Sequence, residues 1–531
     1  MQPQTETVPL TLDGQDQSPT PLPFLDDIGT EAVVTDENAE VLAPQKTDWT
    51  SIYVAASLSF VGAVQFSLFF ASLWPYLQII DPTATEQFFG TIISLYSLGT
   101  MLASPIVGIW ANKIKSSVPA LEMGLFLMLI GNVVYFLTPV LPIPVSNKYI
   151  ILTARVITGM GSANVSLLKA YSATASTGGD RSKAIAYVTG GLAFGMTMGP
   201  AFQLLFTPLG TTGWVISENI KINIYTAPAI LGCLFNILGF YLVRTHFVEK
   251  HIGIPDKAHK EKHGKLPPYD KLAIAVCYLT RFCQMFIVCN LEGIGTPLAM
   301  TMFAWDRPTV VRNVAIAQGI KAVLSLATYI AYIKFNLGRK MNSQKTMFIC
   351  LAGLVLFHLV TYSWPFLPGR MVTYNNNDVL LANGTELVGC NTDHLSWCYN
   401  TTAVNPWIFY AGYIVIIALS FSNINIALNT LFSKIIGPRQ QAAQQGFLQL
   451  AGGSARFLGP VLITFIYVEV GPRWIWNIEL AVVGGTLLLW ILLKHRMVPL
   501  DVPEAFAHFQ DQDDPDLVRN SKRKKKIEVV A

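Results

Sequence analysis

Five charged side chains of this 531-residue chain fall inside otherwise apolar stretches: Arg155, Arg281, Glu292, Lys321 and Arg456. A charge at such depth is costly, so it faces a cavity, a partner or a solute pathway. The tally is four cations against one acid. If most of them share a cavity, the permeant is an anion; the alternative is that the cations bond to backbone carbonyls or lipid phosphate. Glu292 stands in "MFIVCNLEGIGTPLAM" (285–300). At about 100° per residue it points within roughly 20° of Arg281, but about 16 Å further along the axis. The two share a face without touching. Glu292 and Lys321 stand at similar depth on successive segments, so they can pair, which is the structural reading of the acid. The functional reading is that Glu292 exchanges protons. Burial favours the neutral carboxyl and a nearby cation the charged one, and both readings stay open.

The elements that position these groups are long apolar runs. The chain is 52% hydrophobic and 13% charged, against about 25% charged in soluble domains. Twelve runs reach the length of about 20 residues that a spanning helix needs: 51–77, 88–110, 119–139, 149–172, 184–207, 224–243, 271–299, 312–335, 346–366, 407–432, 442–468 and 474–493. The predicted class is an all-α membrane protein. Residues 1–49, with ten acids against Lys46, read as a disordered acidic cytoplasmic tail without a cleavable signal. Two halves, 50–244 and 271–493, flank a basic linker, 245–270; residues 494–531 form a second cytoplasmic tail ending in "KRKKK" (522–526), suited to lipid headgroups or sorting. Ten Lys/Arg in the loops on one side, and seven more over 244–271, oppose six on the other. Both termini are therefore predicted cytoplasmic. The loop 367–406 then faces the lumen or exterior, as the sequons at Asn383 and Asn400 require; the match at Asn164 lies within a span. Cys390 and Cys398 in that loop can form a disulfide, and the span cysteines read as packing residues.

An internal repeat supports the halving. "GMTMGPAF" (195–202) in the fifth run and "GGSARFLGPVL" (452–462) in the eleventh place Gly199-Pro200 and Gly459-Pro460 at the same rank in each half. Such sites allow close helix approach and a bend. Lys169 and Glu479, near span ends, are expected to snorkel. His358 reads as a packed or hydrogen-bonded residue, and Asn425, Asn429 and Ser422 as interhelical bonding groups, with ligand contact as the alternative. The linker histidines lack metal-site spacing. There is no Walker loop, GxSxG, CxxC or HExxH, so the expectation is no enzyme, metal or cofactor, and no nucleic-acid partner.

These residues resemble the major facilitator superfamily, and more narrowly its domain-containing protein 8 (ceroid-lipofuscinosis neuronal protein 7) family, from about Trp49 to Leu500. The pieces that carry the resemblance are "SLWPYLQIIDPTA", "SLYSLGTMLASPIVGIWAN", "GNVVYF", "LFSKIIGP", "GSARFLGP", "GPRWIWN" and the Cys390 to "WCYNT" loop. "GIWANKIKSS" keeps Gly108 and Lys113 of the superfamily's loop signature but has Asn112 where the acid is usual; "LGRK" (337–340) is its second-half counterpart. The resemblance implies twelve helices in two pseudo-symmetric six-helix halves. It implies proton linkage for Arg155, which with Gly159 and Gly161 matches R-x-x-x-G-x-G. It implies a gating bend at Gly195, Gly199 and Pro200, and a family role for the acid of "LEGIGTPL". It also implies a lysosomal or late-endosomal membrane and anion (chloride) conductance. No acidic dileucine signal is visible, and "YDKL" (269–272) is the tyrosine-type alternative for sorting adaptors.

The resulting expectation is an anion-permeable protein of an acidic organelle. Arg155, Arg281 and Arg456 attract the anion, and Glu292 gates or couples to protons. One rival is a proton-coupled carrier of a small organic solute; the other is a non-transporting receptor or scaffold.

Overall fold

The computed structural model describes residues 46–69, 72–141, 146–210, 212–217, 220–255, 261–262, 264, 266–375 and 387–509. Asn383, most of the acidic tail and the basic "KRKKK" lie outside the described residues. Twelve helices are long and apolar enough to cross a membrane: α1 (Trp49–Leu68), α2 (Phe88–Ile114), α3 (Val118–Val140), α4 (Asn147–Thr174), α5 (Arg181–Leu209), α6 (Ala227–Thr245), α7 (Lys271–Met302), α8 (Thr309–Phe335), α9 (Ser343–Val360), α10 (Pro406–Ile436), α11 (Ala442–Glu469) and α12 (Pro472–Leu492). Their order and number match the twelve apolar runs. The first run is divided: α1 ends at Leu68, and Leu73–Ile80, carrying Pro75, forms a separate short helix. Side chains of Asp48, Asp270, Asn342 and Asn405 cap the starts of α1, α7, α9 and α10 by accepting otherwise orphaned backbone N–H groups. Two helices are irregular inside. α4 breaks between Gly161 and Asn164, and α10 contains a π-turn at Tyr413–Ile417, a feature that often marks functional sites.

The packing partners reveal the symmetry. α1 packs along α5, and α7 along α11; α3 packs on α4 and α6, and α9 on α10 and α12. Across the middle, α2 packs on α11 and α5 on α8. Adding six to each helix of the first half gives the corresponding pair of the second, so the chain is two six-helix halves related by a pseudo-two-fold. Both Gly-Pro repeats lie at equivalent contacts. A Cβ at Gly199 would fall on Ser67 Oγ of α1, and one at Gly459 2.6 Å from Asn290 Oδ1 of α7. Gly195, one turn before Gly199, also lies against α1, where a Cβ would sit 2.3 Å from the Phe60 carbonyl oxygen.

The halves are shut against each other at the end where α2 and α8 finish and α5 and α11 begin. Gly108 lies against the Ala442 backbone, Gly446 against Ser104 and Pro105, and Gly190 against Tyr329. Small residues let these backbones meet. The close glycine contacts between the halves, at Gly108, Gly190, Gly338, Gly446 and Gly453, all lie toward this end. At the other end Cys390 and Cys398 are disulfide-bonded, and the adjoining Trp397 packs on Tyr467 of α11 with ring centroids 5.2 Å apart. Asn400 is exposed beside them.

Candidate functional site

Three cations, Lys169, Arg281 and Arg456, lie within one another's fields where the halves meet, and a fourth, Arg155, is linked to them through aromatic rings. Arg155 on α4 is only 5% exposed. Its guanidinium lies between two rings, 4.5 Å from the Phe69 centroid and 4.8 Å from that of Tyr96, while its Nη1 is buried without a hydrogen-bond partner. Tyr96 in turn packs on Phe66 at 5.0 Å, and Phe66 carries Arg456 of α11 at 5.9 Å. This chain of rings links Arg155 of the first half to Arg456 of the second. The acceptors that Arg456 meets are sulfur: Met285 Sδ at 3.7 Å and the Cys289 thiol. Sulfur is a weak acceptor, a poor match for a guanidinium.

Arg281 on α7 is 4% exposed. Its Nη1 donates to Gln284 Oε1 at 2.7 Å and Asn425 Oδ1 at 3.1 Å; Asn425 donates to the Tyr329 hydroxyl at 2.9 Å. Lys169 lies within the fields of both Arg281 and Arg456. Snorkelling was the expectation for Lys169, and the structure corrects it: the residue is 4% exposed, because the closed end of the molecule covers the last turns of α4. A signal was present in the sequence, since on an ideal helix Lys169 falls about 40° from Arg155, fourteen residues earlier. Among the described residues none of these four cations forms an ion pair. Like charges collected in a low dielectric without a counter-charge repel one another, and an anion beside them would offset that repulsion.

Glu292 and Lys321 stand apart from this belt as a pair. Lys321 Nζ donates to Glu292 Oε1 at 2.7 Å and to the Tyr413 hydroxyl, on the π-turn of α10, at 2.9 Å. Glu292 is 47% exposed and Lys321 15%. The sole sequence-predicted acid is thus occupied by one of the predicted cations. Arg281 and Arg456 come together, Arg155 reaches them only through Tyr96 and Phe66, and Glu292 with Lys321 forms a separate pair.

Glu479 is the other correction. It does not reach an interface but is fully buried, with Oε2 2.8 Å from His358 Nε2. His358 Nδ1 lies 2.7 Å from the Leu354 carbonyl oxygen, which can only accept, so Nδ1 carries a hydrogen and the Nε2–Oε2 contact needs one more proton. The pair joins α9 to α12. The equivalent helices of the first half are joined by neutral amides, with Asn132 and Asn236 both bonded to Gln65 Oε1.

Comparison with known proteins agrees with this architecture. The model described as Major Facilitator Superfamily matches residues 55–392. The Xenopus laevis "Major facilitator superfamily domain-containing protein 8" is 30% identical over 519 residues, 92% of this chain and 98% of the relative. Among solved structures, the human organic anion transporter MFSD10 (TETRAN) superposes with a TM-score of 0.58 at 14% identity, covering 84% of this chain and all of that one. The proton:xylose symporter XylE gives 0.59 at 11% identity, covering 88% and 98%. These two likenesses show the fold.

Proposed function

The chain belongs to the major facilitator superfamily, grouping with domain-containing protein 8, and from that premise we propose that it moves anions across the membrane of an acidic organelle, with chloride the simplest permeant. The observation that carries this reading is the set of three cations between the halves, Lys169, Arg281 and Arg456, with Arg155 linked to them through Tyr96 and Phe66, and with no ion-pair partner for any of the four among the described residues. An anion entering there restores charge balance, and a cation meets repulsion. Both termini are taken as cytoplasmic from the loop charges, which makes the shut end the cytoplasmic one and the opposite end lumenal. Glu292 with Lys321 lies on the lumenal side of the belt, where its carboxylate can exchange protons if Lys321 moves toward a passing anion.

The closed cytoplasmic end favours a second reading of the mechanism: a carrier that alternates its opening, with a proton-coupled organic solute as the permeant. An open-ended pore is not what the close contacts at Gly108 and Gly446 support. A scaffold without transport gains nothing from buried, uncompensated cations.

The test is chloride flux into proteoliposomes at external pH 5 and 7. Arg456→Gln should lower flux about tenfold, the scale of one charge-assisted contact. Flux at wild-type level in that variant rejects the belt as the pathway. Glu292→Gln should remove the pH response, and a response that persists rejects the acid as the titrating group.

A further inference from the structure

The composition of the belt distinguishes a halide from a larger anion. We propose that its permeant is an organic dianion with a flat apolar body, one acid group held by Arg281 and Arg456 above Lys169, the body on Phe66 and Tyr96, and the second acid group on Arg155. This inference rests on the anion reading and narrows it to a substrate class.

Three observations support it. First, one halide balances one of four cations, three of which, Arg155, Lys169 and Arg281, are buried, and leaves the others uncompensated. Second, the two arginines nearest the rings lie on different rings of a continuous pair. Arg155 is 4.8 Å from Tyr96, Arg456 is 5.9 Å from Phe66, and the rings are 5.0 Å apart. That arrangement suits a planar body flanked by two acids; guanidinium groups hold carboxylates or phosphates bidentately, which a spherical ion does not exploit. Third, Arg155 Nη1 is buried with no acceptor. A charged donor left without a partner is expensive, and a ligand oxygen would supply one. Arg281 differs, since Gln284 and Asn425 already hold it in position.

The experiment uses the full chain, purified in detergent without chloride, and four probes: terephthalate (an aromatic dianion), benzoate (its monoanion), succinate (an aliphatic dianion) and chloride. Binding is read by calorimetry and by competition. Terephthalate should bind about tenfold tighter than benzoate, succinate or chloride, one further charge-assisted contact being worth roughly that factor. Arg155→Gln and Arg155→Lys, each shown to melt like the wild type, should compress the terephthalate-to-benzoate ratio toward one. Lys keeps the charge but not the fork, so rescue by Lys would overturn the bidentate role. Terephthalate binding no tighter than benzoate in the wild type overturns the proposal, with the chloride reading intact if chloride still binds. Failure of all four anions to bind removes the anion reading itself.

Discussion

At the scale of single residues, the Glu292–Lys321 pair is asymmetric, and the asymmetry predicts which partner matters more. Lys321 is 15% exposed and Glu292 47%. Replacing Glu292 by Gln leaves a largely buried ammonium with the Tyr413 hydroxyl and a weakened second contact. The cost is about 1 kcal/mol, the lower end for an impaired buried charged group because the acid side is hydrated. Replacing Lys321 by Met leaves a carboxylate that water can reach, at a cost of a few tenths of a kcal/mol. Thermal unfolding should therefore rank Glu292→Gln as more destabilising than Lys321→Met, with the double variant recovering most of the loss. Equal losses in the single variants, or additive loss in the double, would mean the pair is not the unit. The same reasoning separates Glu292 from Glu479. The latter is wholly enclosed and shares a proton with His358, so it joins two helices and has no solvent route of the kind Glu292 has.

At the scale of elements, two carboxylates outside the spans fasten the two ends of the molecule. Asp81, between the short helix Leu73–Ile80 and α2, accepts from Ser146 Oγ across the α3–α4 loop, and from Thr83 N at 3.1 Å and Thr83 Oγ1 at 2.6 Å. The Ser146 bond, then the Thr83 bond, hold its pKa down to about 2 from the usual 3.8. Glu249, after α6, receives Ser116 Oγ at 2.6 Å and Ser117 N at 2.5 Å from the start of α3. Burial pushes it up, but contacts with His251, Ser116 and Ser117 outweigh this and bring it to about 2 from 4.5. Both groups are depressed, so their stabilisation is complete above the unfolded values and is lost as pH falls through about 2. These two groups should thus contribute in full, and add no pH dependence to the melting temperature, between pH 7 and 5, and the melting temperature should fall between about pH 4.5 and 2. Asp81→Asn should flatten part of that acid limb. An acid limb of wild-type slope in Asp81→Asn and in Glu249→Gln would show that these clamps do not set it. The elements themselves were legible in the sequence, because a hydrocarbon-length apolar run is a local property. Lys169 and Glu479 were misread for the opposite reason. Distance from a helix end suggests snorkelling, but burial depends on what packs over that end: the second half in one case, a histidine 121 residues away in the other. The ring chain through Phe66, Phe69 and Tyr96 was invisible too, since aromatics are common in every span and only the folded helices bring these three to Arg155 and Arg456.

For the whole molecule, the pseudo-two-fold turns a static contact into a statement about motion. The shut end is held by two symmetry-related crossings, α2 on α11 and α5 on α8, each packed through glycine. At Gly108, Gly446 and Gly190 the two halves meet through close packing of backbone and ring atoms. A carrier must part these crossings in every cycle, and a fixed pore need not. In the α5–α8 crossing, a Cβ at Gly190 would stand 3.2 Å from Tyr329 Cβ, a few tenths of an ångström short of the 3.5–4.5 Å typical of disulfides. Gly190→Cys with Tyr329→Cys, in a background whose other free cysteines are serine, should therefore cross-link the two halves on oxidation. Oxidised protein should lose anion uptake at least about tenfold and regain it on reduction, to the level of the Tyr329→Cys single variant, because locking one of two states removes the cycle while leaving the fold. Should Tyr329→Cys alone abolish uptake, Met101→Cys with Gly453→Cys in the α2–α11 crossing serves, its Cβ positions being 2.9 Å apart. Uptake that persists through the cross-link would mean that these crossings never open, and that anions pass by a route the two halves do not gate.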